Sequence, residues 1–235
     1  MLVLRRYGAA QSAVGLWKLN LYVRWKRCSW RWFVVGTTVL KRIFDVVASL
    51  VLLLVLLPVL VMLALLVKLE DGGPAFFAQT RVGRWGREFK MFKFRSMCLD
   101  AEQRLGALLP KNEHGEGVTF KIKNDPRLTN VGRWMRRYSL DELPQLYNVL
   151  RGDMSLVGPR PPLPREVALY APADRRRLAI TPGITCLWQV GGRSEIDFSG
   201  QVKLDVLYIE SQSFGGDLKI LLRTIPAVLT GRGAT

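Results

Sequence analysis

Residues 46–68 read VVASLVLLLVLLPVLVMLALLVK, and the arrangement of this run decides what kind of protein the chain is. As a helix rising ~1.5 Å per residue, it is long enough to match a hydrocarbon core ~30 Å thick, with Ser49 the one polar residue before Lys68. Two features argue against a simple crossing. Pro58 has no N–H to donate and its ring meets the carbonyl of Leu54, so a kink or break is expected at the middle of the run. Basic residues flank both ends, Lys41 and Arg42 before it and Lys68, Arg81, Arg84 and Arg87 after it, and each end therefore favours the cytoplasmic face. A segment with both ends on one face must enter the bilayer and turn back. Kinked spanning helices are nevertheless common, because neighbouring groups re-satisfy the freed backbone. On these residues alone, crossing and re-entry both stand.

The rest of the chain is large enough for one well-buried domain besides this attachment device. It holds 35 Lys and Arg against 19 Asp and Glu, a net charge of +16. Nine of the basic residues fall within residues 1–42, which contain no acid. Beside an apolar run such charge suits anionic lipid headgroups, at roughly 1 kcal/mol per basic residue near the surface. No helix-turn-helix, zinc-finger or RNP pattern is present, so nucleic acid is not an expected partner. Cys28, Cys98 and Cys186 lack CxxC spacing and His companions, which argues against a disulfide framework or zinc site. The single histidine, His114, lies in KNEHGEG and reads as a solvated loop residue, with no GxSxG elbow to recruit it. The exit of the apolar run, LVKLEDGG, has no small-x-small cleavage pattern, so the run is read as retained.

Beyond the run, two aromatic-rich stretches, 74–79 and 88–97, flank a turn holding Gly83 and Gly86, which predicts a β-hairpin. Its period of two places Lys93 and Arg95 on one face and Phe92 and Phe94 on the other. The stretch GALLPKNEHGEG then reads as a loop. Two helical periods follow, Val131, Trp134, Met135 and Tyr138, then Leu143, Leu146, Tyr147 and Leu150, meeting at Ser139. The junction carries the acid pair Asp141 and Glu142. Ser139 and Glu142 fit the S-x-x-E capping box, in which the acids serve a helix start; a catalytic dyad is the other reading, and one helix start can do both. Pro144 is tolerable in or next to a first turn. Downstream, RGDMSLVGPRPPLPREV is a rigid loop presenting Arg151 and Arg160, suited to phosphate through paired hydrogen bonds, with no P-loop or GxGxxG. TPGITCLWQVGGRSEI adds Gln189 and Arg193 in a Gly-rich turn. Finally Leu218, Leu221, Leu222, Ile225, Val228 and Leu229 form one stripe of a helix that either lies in a membrane interface or packs on the core.

Together KRIFDVVASL, FKMFKFRSM, RRYSLDELPQLYNVLRGDMSLVGPRP and PGITCLWQVGGR resemble the bacterial sugar transferase family, the monotopic polyprenyl-phosphate phosphoglycosyl transferases, over about residues 40–232. The resemblance implies a mainly α protein with a small β-hairpin, an α+β monotopic membrane protein with a proline-broken re-entrant helix and amphipathic interfacial helices. It favours re-entry at Pro58 over crossing. The expected organisation is a basic leader over 1–39 outside the match, a re-entrant helix over 40–70 and a catalytic domain over 71–235 on the cytosolic face of a bacterial inner membrane. With no further domain preceding the match, the chain is expected to be a minimal catalytic unit.

The implied activity moves a sugar 1-phosphate from a UDP-sugar, with glucose or galactose the expected hexose, to undecaprenyl phosphate, releasing UMP and starting exopolysaccharide assembly. By the same resemblance Asp141 is the nucleophile, Glu142 the Mg²⁺ ligand, and Arg160 and Arg136 phosphate-binding. Lys93 and Arg95 match the KFR strand, and Gln189 and Arg193 the closing motif, with a uridine contact. The chemistry is consistent: a diphosphate repels an incoming anion until a divalent ion and arginines neutralise it, Mg²⁺ needs only one or two carboxylates when phosphates supply the rest, and a carboxylate nucleophile needs no general base. Cys186 departs from the family, many members of which have Gly there. A non-catalytic, membrane-anchored basic adaptor is the alternative, and it has no need of Asp141.

Overall fold

The structure is a computed structural model that describes residues 13–108, 122, 125–192 and 196–231, with side chains described outside 13–16 and 27–35. His114, the loop around it and Arg193 lie outside the described residues. The chain divides into two units, 1–43 and 44–235. In the first, the residues described are helical, with Trp17, Leu21, Tyr22 and Trp25 exposed and Lys26 Nζ 5.3 Å from the centroid of the Tyr22 ring. Helix α1, Ala13–Val55, runs out of it without a break.

The second unit begins within α1. It continues through α2 (Leu57–Asp71), an antiparallel hairpin of β1 (Phe76–Val82) and β2 (Glu88–Phe94), α3 (Ala101–Leu108) and α4 (Asn130–Arg137). A 3₁₀ turn over Leu140–Glu142 leads to α5 (Gln145–Arg151), β3 (Ser155–Val157), α6 (Pro164–Ala168), β4 (Gly183–Thr185), α7 (Leu187–Gly191), α8 (Phe198–Glu210) and α9 (Phe214–Thr230). The mainly helical reading with one hairpin holds. The short parallel pairing of β3 with β4 was not anticipated; it brings Gly158 against Gly183 so closely that a Cβ on Gly183 would lie 2.0 Å from the Gly158 nitrogen.

No single helix among the described residues is long and apolar enough to cross a membrane, but α1 from Gly36 and α2 form such a run together, bent by 63°. The break falls at Leu56, where the backbone leaves helical geometry (φ −86°, ψ 1°), and Pro58 occupies the first turn of α2. There its missing N–H costs nothing, since first-turn N–H groups have no partner within the helix. Leu56 N still donates to Leu52 O (2.9 Å) and Leu60 N to Leu56 O (2.8 Å), so the chain turns with little loss of hydrogen bonding.

Both arms of the bent pair are bonded to the rest of the unit. On α1, Asp45 is buried and accepts from Ser155 Oγ (2.7 Å) and from Leu156 N (3.1 Å). On α2, Glu70 accepts from the N–H groups of Asn130 (2.8 Å) and Val131 (3.2 Å) at the start of α4, and Asp71 pairs with Arg95. The inner side of α2 joins Leu63 and Val67 to Phe94 and Met135 in one core cluster, each side chain worth about 1.5–3 kcal/mol when fully buried. The outer sides stay uncovered: Val47, Val51, Leu54, Val55, Leu57, Val61 and Leu65 are all at least half exposed. An apolar surface this extensive marks an interaction face.

The second cluster gathers Met91, Leu146, Val149, Met154, Val157, Tyr208 and Ile220, so β2 is covered on both faces. Its outer edge is closed by one side chain. Asn148 donates to Lys90 O (2.7 Å) and accepts from Phe92 N (2.9 Å), satisfying the edge groups a two-stranded hairpin leaves bare.

Two expectations about helix faces need correction. Ser139 caps nothing: its φ is 53° and its side chain makes no cap bond. The helix proper starts at Gln145, after the 3₁₀ turn and Pro144. That turn shifts the phase of α5, which buries Gln145, Leu146, Asn148 and Val149 and leaves Tyr147 half exposed, rather than the predicted stripe. On α9 the buried residues are Asp217 and Ile220, because Asp217 accepts from Tyr208 Oη at 2.7 Å. Of the predicted stripe, Leu221 packs against the core cluster, whereas Leu218, Leu222, Ile225 and Leu229 are exposed together with Phe214, as the interfacial alternative expects.

Replacing Asn148 by Ala strands one part-buried N–H and one carbonyl on β2, at ~1–3 kcal/mol for each unsatisfied group. A loss of about 2–4 kcal/mol is expected in chemical unfolding of the purified protein; a loss within experimental error would mean that packing alone holds the strand.

Candidate active site

A cleft of about 1770 Å³ runs through the second unit, lined by Lys93, Arg95, Arg136, Asp141, Glu142, Arg160 and Gln189 among others. The structure thus brings every described candidate to one cleft, though not into one cluster. The acids sit on the 3₁₀ turn, held at its head by Ser139 in left-handed geometry and on its flanks by Leu140 and Leu143, which pack on the cluster around Met135. Asp141 is buried, 6% exposed. Freed from any capping role, Glu142 instead accepts from Lys93 Nζ at 3.0 Å.

Four cations surround the pair. Lys93 arrives from β2, opposite Phe77 in the register. Arg136 comes from the last turn of α4, one helical turn before the acids, and is fixed by donating from Nε to Ser96 Oγ (2.9 Å). That approach requires Gly132, where a Cβ would lie 2.0 Å from the Ser96 carbonyl oxygen. Arg160 stands on the loop after β3, its Cζ 6.0 Å from the centroid of the Trp188 ring. The fourth, Arg81, was missed in the sequence reading except as a flanking charge. Its guanidinium bonds Gln79 Oε1 at 3.1 and 2.7 Å and the Pro161 carbonyl at 3.0 Å, and Val82 N donates to Pro162 O at 2.9 Å, so β1 holds the Arg160 loop in place. The alternation of Gln79 and Arg81 on one strand face was the available signal.

Two other candidates are engaged differently. Arg95 is drawn to Asp71 and to the Val67 carbonyl, 3.4 Å away, and clamps α2 rather than facing the acids. Gln189 accepts from the Cys186 thiol at 3.1 Å, so the cysteine that departs from the family pattern packs directly against a candidate ligand.

The acids differ sharply. Burial works against a charge on Glu142, but Lys93, Arg160 and Arg81 outweigh it and hold its carboxyl at about 2. Asp141 moves the other way: burial, with Glu142 adding repulsion, raises it above the usual carboxylate range against the pull of Lys93 and Arg136. Burial lowers Lys93 and Arg136, each opposed by the neighbouring carboxylates, and brings Arg81 down to about 10, with Arg160 repelling it. Four cations against two carboxylates leave an excess of positive charge, suited to a polyanion such as a phosphate ester. No group of three or more metal-ligating side chains occurs among the described residues.

The family model described as bacterial sugar transferase matches residues 36–231. The chain is 47% identical over 207 residues to a galactosyl transferase, CpsE, of Streptococcus agalactiae serotype III, covering 88% of this chain and 46% of that protein. It is 44% identical over 198 residues to the undecaprenyl-phosphate galactose phosphotransferase of Salmonella typhimurium, covering 83% and 41%. It is 42% identical over 197 residues to the exopolysaccharide production protein ExoY of Rhizobium meliloti, covering 83% and 87%. The chain therefore spans less than half the length of the first two relatives and most of the third.

Because Glu142 contributes to raising Asp141, Glu142→Gln lowers the Asp141 midpoint. Carboxyl carbon NMR of protein labelled at aspartate should show Asp141 titrating above the ordinary value of ~3.9 and moving toward it in the variant. An unchanged midpoint would leave burial as its sole cause.

Proposed function

The chain belongs to the bacterial sugar transferase family, and from that premise we propose that it moves a sugar 1-phosphate from a UDP-sugar to undecaprenyl phosphate at the cytosolic face of a bacterial inner membrane. The observation that carries this reading is the acid pair, Asp141 buried and Glu142 bonded to Lys93, among four cations. A carboxylate of Asp141 attacks the phosphorus that bears the sugar. The bond from that phosphorus to the bridging oxygen breaks and UMP leaves, so the sugar phosphate is carried as an aspartyl ester. An oxygen of undecaprenyl phosphate then attacks the same phosphorus, the aspartyl bond breaks, and the carboxylate returns. Lys93, Arg136 and Arg160 offset the charge of the diphosphate in both steps. The names of the relatives favour galactose or glucose as the sugar and exopolysaccharide as the product.

Mg²⁺ fits this donor set: Glu142 offers an ionised hard-oxygen ligand throughout the working pH range, and a diphosphate and water supply the remaining oxygens. When bound, the ion adds charge neutralisation at the diphosphate. Gln189 would contact the uridine, and Arg193 is proposed beside it.

A re-entrant helix pair accounts for the anchoring. Support comes from the bonds at both arms, since Asp45 on α1 and Glu70 and Asp71 on α2 all reach the same body and so belong on one side of the bilayer. The exposed apolar stripe of α9 suits the interface beside it, and the basic flanks suit anionic lipid headgroups.

Asp141→Asn is expected to lower UMP release from a UDP-sugar, in membranes holding undecaprenyl phosphate, by on the order of a thousandfold or more; an unchanged rate would favour the basic adaptor. For topology, single cysteines at Gly36 and Leu69 in a Cys-free variant should react with an impermeant thiol reagent from the same side. Labelling from opposite sides would restore a crossing helix.

A further inference from the structure

Arg81 takes part in none of the steps proposed above, yet it is a buried guanidinium among the residues that line the cleft. Burying a cation is costly, so the charge needs a reason. Holding the loop after β3 is not a sufficient one, because a neutral amide could donate to the Pro161 carbonyl as Arg81 does at 3.0 Å. The surroundings of the charge supply the reason. Arg81 is repelled by Arg160, and it is one of the three cations that hold the Glu142 carboxyl low.

The two arginines are otherwise opposites. Arg81 directs its donors to protein: Nε and one Nη reach Gln79 Oε1, and the other Nη reaches Pro161 O. Arg160 is exposed, and among the described residues its guanidinium has the Trp188 ring beside it and no oxygen bonded to it. A guanidinium carries five N–H donors and bonds whatever carbonyl its own loop leaves bare. Here that route is closed. The Pro161 carbonyl accepts from Arg81 and the Pro162 carbonyl from Val82 N, while Glu166, the acid of the same segment, accepts from Leu163 N at 2.8 Å. Were Arg81 neutral, Arg160 would be drawn back to the Pro161 carbonyl or across to Glu142, and an anionic ligand would have to displace it.

Resting on the transfer reaction put forward above, we propose that Arg81 is a positioning residue for the donor: by occupying the Pro161 carbonyl and setting a like charge beside Arg160, it keeps the Arg160 guanidinium free to meet the diphosphate. Arg81 itself does not touch the substrate. Its effect passes through Arg160, which distinguishes it from a cation that binds phosphate directly and from a side chain that merely ties β1 to the loop.

The test measures KM for UDP-galactose or UDP-glucose, whichever the unaltered protein turns over, with the full chain in lipid nanodiscs at saturating undecaprenyl phosphate. KM does not depend on how much of the enzyme is folded. Arg81→Gln keeps a donor for the Pro161 carbonyl and removes the charge; Arg81→Lys keeps the charge and gives up the paired bonds to Gln79. KM should rise about tenfold in Arg81→Gln, the effect of weakening one charge-assisted hydrogen bond, and stay near the wild-type value in Arg81→Lys. In an Arg160→Ala background, Arg81→Gln should raise KM no further, because residues that act through one contact are not additive. Equal KM in the Gln and Lys variants, or the same rise with and without Arg160, would leave Arg81 as a structural tie and overturn the proposal. A tenfold rise in Arg81→Lys, readable even if Arg81→Gln does not fold, would do the same. Absence of UMP release from either UDP-sugar by the unaltered protein would instead overturn the transferase reading on which the proposal rests.

Discussion

The bonds that Asp45, Glu70 and Asp71 make to the body govern the rest of the structure. An apolar helix pair with half its surface uncovered has no reason of its own to adopt one orientation on a small domain. The carboxylates of the pair supply it: Asp45 is buried and must find donors or bear a heavy desolvation cost, while Glu70 and Asp71, both exposed, add bonds at the other arm. Asp45 finds them at Ser155 and Leu156, Glu70 at the first N–H groups of α4, Asp71 at Arg95. From Glu70 the dependence runs forward. Glu70 accepts from the first N–H groups of α4, whose cap is Thr129; the left-handed Ser139 follows the end of α4, and the turn there delivers Asp141 and Glu142. The position of the acids is thus referred back to the end of α2 through eight residues of α4.

The same turn explains why two adjacent acids behave unlike one another. A capping arrangement would have aimed both at backbone N–H groups, making them alike. In the 3₁₀ turn, whose hydrogen bonds run between Ser139 O and Glu142 N and between Leu140 O and Leu143 N, neighbouring side chains diverge. Glu142 projects toward Lys93, Arg81 and Arg160, while Asp141 is turned into protein with fewer charges to offset its burial. Such divergence suits a division of labour between the two carboxylates.

Much of this was legible in the sequence. Pro58 announced the break, because a missing N–H and a steric clash act through the chain itself, and the hairpin followed from alternation around Gly83 and Gly86. What stayed hidden depended on contacts between distant segments. Ser139 and Glu142 match a capping box letter for letter, yet α5 begins only at Gln145, and nothing local says that Lys93 will claim the glutamate. Arg81 looks like one more flanking charge until Pro161 is seen to accept from it. Asp45 was the most readable omission: a lone carboxylate on the first turns of an otherwise apolar run demands a partner, and the search for one would have pointed to the loop beyond α5.

Lys93 and Arg95 show how finely the pieces are indexed. Two residues apart on a strand they share a face, roughly 6–7 Å from each other along the chain, and that separation lets one meet the acids and the other the end of α2. A slip of one residue would exchange them for Phe92 and Phe94, placing rings where charges are needed and opening the cluster that Phe94 completes with Leu63 and Met135. Pairing with β1 alone is a weak guard against such a slip in a two-stranded sheet. The guard is Asn148, which grips the backbone of Lys90 and Phe92 with both ends of its amide and stands in the helix that directly follows the acid turn. One side chain therefore sets the register of the strand bearing Lys93 against the segment bearing Glu142, so the ion pair between them is fixed by backbone recognition rather than by its own modest attraction.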